Sequence, residues 1–391
     1  MLQDFLKYQA KVSPHPLGLE IESAQGSYLY DSNGKSYLDF VAGVSALPLG
    51  HSHPKVVEAL KIQIEKYMHV MVYGEFAQAP AVALSKKLVS LLPQNQQVVY
   101  LTNSGTEAIE GALKLAKKVT QKPGLIAAHH SYHGSTHGAL SLLGREQQKA
   151  GYRPMLPGVS FIHFNQEKDL KKIDHNTAAV LLETVQGGAG FILPQNDYLK
   201  KVKKRCQEVG ALLILDEIQP GLGRTGKMFG FEHFGIQPDI VVMGKALGGG
   251  LPIGAFSASH ALMEKLSNDP MLGHITTFGG NPVVATAALT TLREILKTKL
   301  IDQISKKEKL FRDQLQHPLI KKIHGKGLML APIFDRPEIP NHLVHRCLEK
   351  GLLLFWLLWE KKAIRISPPL NISEQEIIEG CAIIIETLDE I

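Results

Sequence analysis

Cysteine is scarce in this 391-residue chain, and Cys206, Cys347 and Cys381 are odd in number, far apart and without metal-ligand spacing. This excludes a disulfide framework and reads as buried or incidental thiols in a reducing compartment. Long apolar runs are also missing. The most apolar stretch, Leu352 to Trp359 (LLLFWLLW), is too short to span a bilayer as a helix and is expected to be a buried strand. Basic residues never mass into a long block. The formal net charge of +6 is spread along the chain, with short clusters such as Lys203-Lys204-Arg205, so nucleic-acid binding is not indicated. A mild positive field still suits anionic substrates or a phosphorylated cofactor. The opening segment, MLQDFLKYQAKVSPHP, lacks an apolar signal core with a small-residue cleavage site, which points to a cytoplasmic protein. There is no internal repeat, low-complexity tract or G-x-x-x-x-G-K-[ST] phosphate loop.

The hydrophobic share of 44% is enough for a large core arranged as one or two cooperative units. Around SYLYDSNGKSYLDF, alternating runs flank Asn33-Gly34, the signature of a hairpin. From His53-Pro54 onward the pattern becomes helical over 54–68 and 79–92. Apolar strand candidates come next, at 98–101, 124–128, 159–164, 178–185, 211–218 and 239–244. Alternation of this kind predicts a mainly parallel sheet covered by helices. From about residue 283 a long helix leads into a second α+β region that ends in AIRISPP and an amphipathic helix. The expected division is a larger unit over 51–282 and a smaller one built from 1–50 and 283–391.

Ligands of an open parallel sheet collect beyond the carboxyl ends of its strands. Three such ends fit together. VVYL runs into Ser104-Gly105-Thr106 at a helix start, where backbone N–H groups favour an anion, or where the hydroxyls simply cap the helix. ALLILDEI contains Asp216, a carboxylate that needs a cation or strong donor if it is buried. DIVVMG runs directly into Lys245, either a snorkelling surface lysine or an amine poised to attack an aldehyde. Phosphate cup, acid and amine correspond to the phosphate, ring nitrogen and aldehyde of pyridoxal phosphate, and the conjunction is more specific than any one member.

A competing motif, Gly221-Leu222-Gly223-Arg224-Thr225-Gly226, satisfies G-x-G-x-x-G. A dinucleotide fold needs that loop to open a helix. The next segment here, KMFGFEHFGIQP, is rich in glycine and aromatics, so the nicotinamide reading is rejected. His51, His53 and His133 have no recognised ligand spacing and read as cap or core residues, with no metal expected.

The segments GSYLYDSNGKSYLDFVAGVS, LGHSHPKVVEAL, NSGTEAIEGALKLAK, SYHGSTHG, LDEIQPGLGRTGKMFGFEHFGIQPDIVVMGKALGGGLPIGA, TTFGGNP and IRISPPL together resemble class III aminotransferases of fold type I, the group of acetylornithine, ornithine and 4-aminobutyrate aminotransferases. The resemblance implies an α/β fold with a mainly parallel, seven-stranded-type sheet. It also implies pyridoxal 5'-phosphate held by Lys245 as a Schiff base and paired at its ring nitrogen with Asp216. Gln219 would contact the ring hydroxyl, Tyr132 and Ile218 would sandwich the ring, and Gly105 and Thr106 would bind the phosphate. Thr277 would add a phosphate contact from the neighbouring subunit of a homodimer, Arg365 would hold a substrate carboxylate with its bidentate fork, and Glu183 resembles a recurrent acid near the cofactor. The activity implied is ping-pong transfer of an amino group from an amino acid or ω-amino donor to a 2-oxo acid such as 2-oxoglutarate. A racemase, an aminomutase or a decarboxylating transaminase would use the same apparatus.

Two positions depart from the acetylornithine-type pattern. Ser135 stands where that group carries an arginine, and Gln186-Gly187-Gly188 replaces a Q-G-E whose glutamate masks the carboxylate-binding arginine while an ω-amino substrate is bound. These changes point away from acetylornithine itself and toward a different handling of the amino donor.

Overall fold

The computed structural model describes residues 1–72 and 74–391. Near the amino terminus the alternating runs pair as strands β1 (Ile21–Gln25), β2 (Tyr28–Asp31) and β3 (Ser36–Asp39) in an antiparallel meander. The side chain of Asp31 ties the β2–β3 turn, accepting the N–H groups of Asn33 and Lys35 at 2.9 Å each. Helices Pro54–Lys66 and Ala79–Val89 come next, both opened by proline in the first turn, where its missing N–H costs nothing.

The central sheet is built from β4 (Val98–Thr102), β5 (Gly124–Ala128), β6 (Val159–Ile162), β7 (Thr177–Glu183), β8 (Leu212–Asp216), β9 (Ile240–Gly244) and β10 (Gly254–Ala258). Their order across the sheet is β4-β10-β9-β8-β7-β5-β6. Only β10 runs against its two neighbours, so the sheet is mainly parallel. Every residue of β7, β9 and β10 is buried, because apolar clusters cover both faces. Six of the seven strands coincide with apolar runs in the sequence. The seventh, β10, has the small-residue sequence GAFSA and comes after a glycine-rich segment, so neither length nor β-branched content marks it.

Toward the carboxyl end come helices Pro282–Lys297 and Leu300–Gln314, then β11 (Lys322–Lys326), β12 (Met329–Ile333), β13 (Leu352–Leu353), β14 (Phe355–Trp356) and β15 (Ile364–Arg365), and finally helix Glu374–Leu388. The apolar run 352–359 is therefore not one buried strand. It breaks at Leu354 into two short pieces that join different sheets, β13 beside β3 and β14 beside β15, and it exposes Phe355 and Leu358. Parallel pairing of Leu38 with Leu352 completes the amino-terminal sheet. A second core draws on both ends of the chain: Leu38, Phe40, Phe311, Leu352, Ile377 and Ile384 are among its members. Phe40 meets Phe311 edge to face at a centroid distance of 5.2 Å.

Ala42, Gly43, Val44 and Ser45 all have positive φ, at 49, 58, 61 and 66°. They make one left-handed turn, closed by the N–H of Ser45 on the Val41 carbonyl at 3.0 Å. Such a turn costs about 1–2 kcal/mol per non-glycine residue. Asp39 holds it, accepting the N–H groups of Val41 and Ala42 at 2.7 and 2.9 Å through one oxygen and contacting His51 at 2.8 Å through the other. Among the described residues no helix is long and apolar enough to cross a membrane.

Candidate active site

Parallel register sets Glu183 of β7 opposite Asp216 of β8, and Asp216 opposite Val242 of β9. Beyond these ends the connecting segments touch. A Cβ on Gly105 would lie 2.7 Å from Cδ1 of Ile218, so only glycine lets the helix start approach the segment after β8 this closely. On the other side, the Cα of Gly105 is 3.3 Å from where a Cβ on Gly244 would stand. Ser104–Thr106, Asp216–Ile218 and Lys245 are thus brought to one place.

Lys245 comes directly after β9 with φ +44, a left-handed conformation for a non-glycine residue, which costs on the order of 1–3 kcal/mol and is found where neighbours over-determine the backbone. Burial pushes its ammonium below the ordinary lysine range. Asp216 opposes that shift, Arg365 adds to it and Glu183 opposes it. A lysine so placed spends more of its time as the neutral amine, the nucleophilic and proton-accepting form.

Asp216 is buried, and both of its oxygens are engaged. One meets Nδ1 of His133 at 2.8 Å, and the other accepts the N–H of Ile218 at 2.9 Å. His133 is itself buried, and its Nε2 has no hydrogen-bond partner among the described residues. The sequence reading as a cap or core histidine missed this contact. The available signal was position, since His133 lies between Tyr132 and Gly134 in the SYHGSTHG segment. Tyr132 donates its N–H to Glu183 at 3.3 Å, and its hydroxyl is 3.2 Å from that of Ser135. Glu183 also accepts the N–H of Gly187 at 2.9 Å. Burial, opposed by His133 and reinforced by Asp216, pushes the Glu183 carboxyl up to about 7.

Glu217, which the sequence reading passed over, is buried behind Asp216. It accepts from the Thr184 hydroxyl at 2.5 Å and from the N–H groups of Gly230 and Phe231 at 2.7 and 2.9 Å. Burial raises its carboxyl to about 7. No cation pairs with it among the described residues, so its work is to fasten the loop after β8.

At the helix start, the Ser104 hydroxyl accepts the N–H of Glu107 at 3.3 Å, so that side chain is a cap. The Thr106 hydroxyl is 2.7 Å from that of Thr136. Helix geometry leaves the N–H groups of Gly105 and Thr106 without intrahelical acceptors, at the positive end of the dipole of helix Gly105–Thr120. The backbone there is an anion cradle. Gln219 reaches the left-handed turn, its amide 3.4 Å from the Ser45 hydroxyl. Thr277 is exposed on the loop before helix Pro282–Lys297, next to Thr276, whose hydroxyl accepts from the Asn103 amide at 2.7 Å.

Arg365, in β15, is buried, its Nε has no hydrogen-bond partner, and no carboxylate pairs with it among the described residues. Burial brings its guanidinium down to about 10. On the hairpin that leads into β15, Trp359 packs against Gly188. Its Nε1 is 2.7 Å and its Cδ1 2.8 Å from where a Cβ at position 188 would stand. The indole N–H is buried without a partner, which costs about 1–3 kcal/mol. The Arg145 guanidinium lies 5.0 Å from the Trp359 ring, and the Tyr132 ring is 6.5 Å away. Nothing in the sequence pattern signalled Trp359.

The G-x-G-x-x-G loop has another task. Arg224 is buried and donates to the carbonyls of Leu328, at 3.1 Å, and Pro368, fastening the loop to the carboxyl-terminal region. The loop leads into turns and the short 3-10 helix Gly230–Phe234, not into the helix a dinucleotide site requires. Among the described residues no group of three or more His, Cys, Asp or Glu is placed to hold a metal ion.

Comparison with known proteins agrees across nearly the full length. The family described as aminotransferase class-III matches residues 8–388. The chain is 38% identical to the acetylornithine aminotransferase of Caldanaerobacter subterraneus subsp. tengcongensis, covering 94% of each protein. It is 37% identical to the putrescine aminotransferase of Pectobacterium atrosepticum, covering 95% of this chain and 83% of the relative. Among solved structures it superposes on the ornithine aminotransferase of Toxoplasma gondii, whose active site carries PLP at partial occupancy, with a TM-score of 0.92 and 31% identity over 100% of this chain and 94% of that one.

Proposed function

The chain belongs to the class III aminotransferases, and from that premise we propose how its residues divide the work. It is a fold type I enzyme that uses pyridoxal phosphate to move an amino group from an amino donor to a 2-oxo acid. The relatives compared are all aminotransferases, which does not favour the isomerase and decarboxylating alternatives. The observation that carries the assignment of residues is the contact of three strand ends, which sets an amine, a buried carboxylate and an anion cradle side by side.

The donor set fits the cofactor. Lys245 would take its aldehyde, Asp216 would pair with its ring nitrogen, and the N–H groups of Gly105 and Thr106, with Ser104 as the cap that fixes them, would hold its phosphate. Tyr132 and Ile218 would flank the ring and Gln219 would hold the ring hydroxyl. When bound, pyridoxal phosphate supplies an aldehyde that condenses with amines and a protonated ring that accepts the electron pair of the bond being broken.

The chain's own residues do the rest. Lys245, biased by burial toward the neutral amine, takes the proton from the substrate carbon and returns it. His133 orients Asp216, the residue that would pair with the ring nitrogen. Arg365 binds the carboxylate of the oxo acid, for which 2-oxoglutarate is the proposed acceptor. Glu183, held by Gly187 and Tyr132, ties the turn after β7 to the face of the site.

The exposed Thr277 is assigned to the site of a second copy, making the active enzyme a homodimer. Exposed Met71, Phe76, Met271, Leu272, Ile275 and Phe278 support that reading, because apolar residues so concentrated mark an association surface. Residues 1–50 and 283–391 form the smaller unit and 51–282 the larger in a cytoplasmic enzyme. Lys245→Ala tests the assignment: turnover and borohydride-stabilised attachment of the cofactor to the chain should both vanish. Wild-type transamination by the variant would sink it.

A further inference from the structure

Thr106 and Glu110 are one helical turn apart on helix Gly105–Thr120, so their side chains share one face of it. The segment that carries Tyr132 and His133 continues across that face through Gly134, Thr136 and Gly138. A Cβ on Gly134 would lie 2.1 Å from Oγ1 of Thr106, and one on Gly138 would lie 2.1 Å from Oε2 of Glu110, so glycine at both points lets the two stretches meet this closely. Between the glycines the Thr136 hydroxyl reaches both helix residues, 2.7 Å from the Thr106 hydroxyl and 2.5 Å from Oε1 of Glu110. That same Oε1 accepts the N–H of Ala139 at 3.0 Å.

The far end of this chain of groups sets its direction. A carboxylate only accepts, so Thr136 donates to Glu110. A hydroxyl has a single proton, so on its other side Thr136 can only accept, and the Thr106 hydroxyl must donate to it. Thr106 has no second proton to give an anion in front of the helix, and its oxygen would turn only lone pairs toward a phosphate.

We propose that Glu110 and Thr136 are positioning residues of the cofactor site: through the Thr106 hydroxyl they clasp the Tyr132–His133 segment to the helix start, and the phosphate is left to backbone N–H groups. Tyr132 is the residue assigned to the ring face, and His133 contacts Asp216 at 2.8 Å, so the clasp keeps ring wall and acid in register with the anion cradle. The cradle itself is made by the helix and by the packing of Gly105 on Ile218, neither of which depends on Thr136. This inference rests on the pyridoxal phosphate reading of the site and names what holds that site in shape.

Two ligands separate a clasp from a phosphate contact: pyridoxal 5'-phosphate, and pyridoxal, which lacks the phosphate. Each is titrated into the full-length enzyme freed of cofactor. Absorbance gives the affinity, and circular dichroism of the bound ring reports its orientation. Thr136→Val and Thr106→Val, close in shape to the native side chains, should each weaken both ligands by about 10-fold, the loss expected when a chain of hydrogen bonds ending on a carboxylate is broken. Both should also alter the circular dichroism of the bound ring. The double variant should be no weaker than the weaker single one, because the two changes break one chain. Thr136→Ser, which keeps the hydroxyl, should restore affinity and dichroism, and Glu110→Gln, which keeps an acceptor without the charge, should fall between wild type and Thr136→Val.

A Thr106→Val variant that loses affinity for pyridoxal phosphate but not for pyridoxal would make this hydroxyl a phosphate contact and overturn the proposal. Additive losses in the double variant, or wild-type affinity and dichroism in Thr136→Val, would overturn it as well. Each of these results leaves the cofactor assignment standing. Binding of neither ligand by the wild type would remove that assignment too.

Discussion

Glu217 offers a sharp test of how this site is supported. Its carboxyl is raised from 4.5 to about 7 by burial, partly offset by the three hydrogen bonds it accepts. The unfolded chain sheds this proton near pH 4.5, whereas the folded chain keeps it until near pH 7. Between those values the folded state binds more protons, so stability falls as pH rises. The contribution is fully present below the unfolded pKa and is lost as pH climbs through the folded one. With a pKa difference of about 2.5 and about 1.4 kcal/mol per unit, the loss approaches about 3 kcal/mol. Glu217→Gln removes the ionisation but faces an amide N–H toward the Gly230 or Phe231 N–H, an offset of about 1–3 kcal/mol at every pH. Urea unfolding of the holoenzyme and the variant from about pH 4.5 to 8, at saturating cofactor, separates the two effects. The variant should start the less stable and gain on the wild type by about 3 kcal/mol as pH rises. Parallel profiles, separated by a constant gap, would refute the reasoning and mean that three donors suffice to keep the carboxylate charged in the fold.

Arg365→Ala should raise KM for the oxo acid by about 100- to 1000-fold; an unchanged oxo-acid constant would remove Arg365 from the site. Because Arg365 lowers the Lys245 pKa, the same variant should shift the limb of the pH-rate profile that reports Lys245 to higher pH. Gly105→Ala puts a Cβ 2.7 Å from Cδ1 and 3.2 Å from Cγ1 and Cγ2 of Ile218, so the whole side chain must shift. Cofactor affinity should fall by about 10- to 100-fold, from overpacking of about 1–3 kcal/mol, with partial recovery when Ile218→Ala is added. Identical affinities in the wild type and Gly105→Ala would show that the close approach is not needed.

Much of the fold was legible because six of the seven central strands are continuous apolar runs, and Gly105, Asp216 and Lys245 were proposed as site residues because they stand at or close after the ends of three of them. The features that stayed hidden had no one-dimensional signature. The strand β10 is small and unbranched, the run 352–359 divides between two sheets, and the left-handed turn at 42–45 uses Ala, Val and Ser where propensity predicts none. His133 and Trp359 escaped for a related reason. A histidine beside a buried acid and an indole filling the place of a missing side chain are relations between distant residues, visible only once the strands are assembled.

The parallel pairing of β3 with β13 has a consequence for how the enzyme comes into being. As the chain is synthesised, the β4–β10 sheet can condense from neighbouring strand-helix units, but β3 keeps a bare edge until β13, which comes after that whole sheet in the chain, has emerged. A bare edge is a template for another nascent chain, so that interval is when two copies can tangle. The last of the proposed site residues to emerge, Arg365, comes after that edge closes. A ribosome-bound fragment that stops before β13 therefore contains Lys245 and Asp216 but lacks Arg365, the residue proposed to hold the substrate carboxylate.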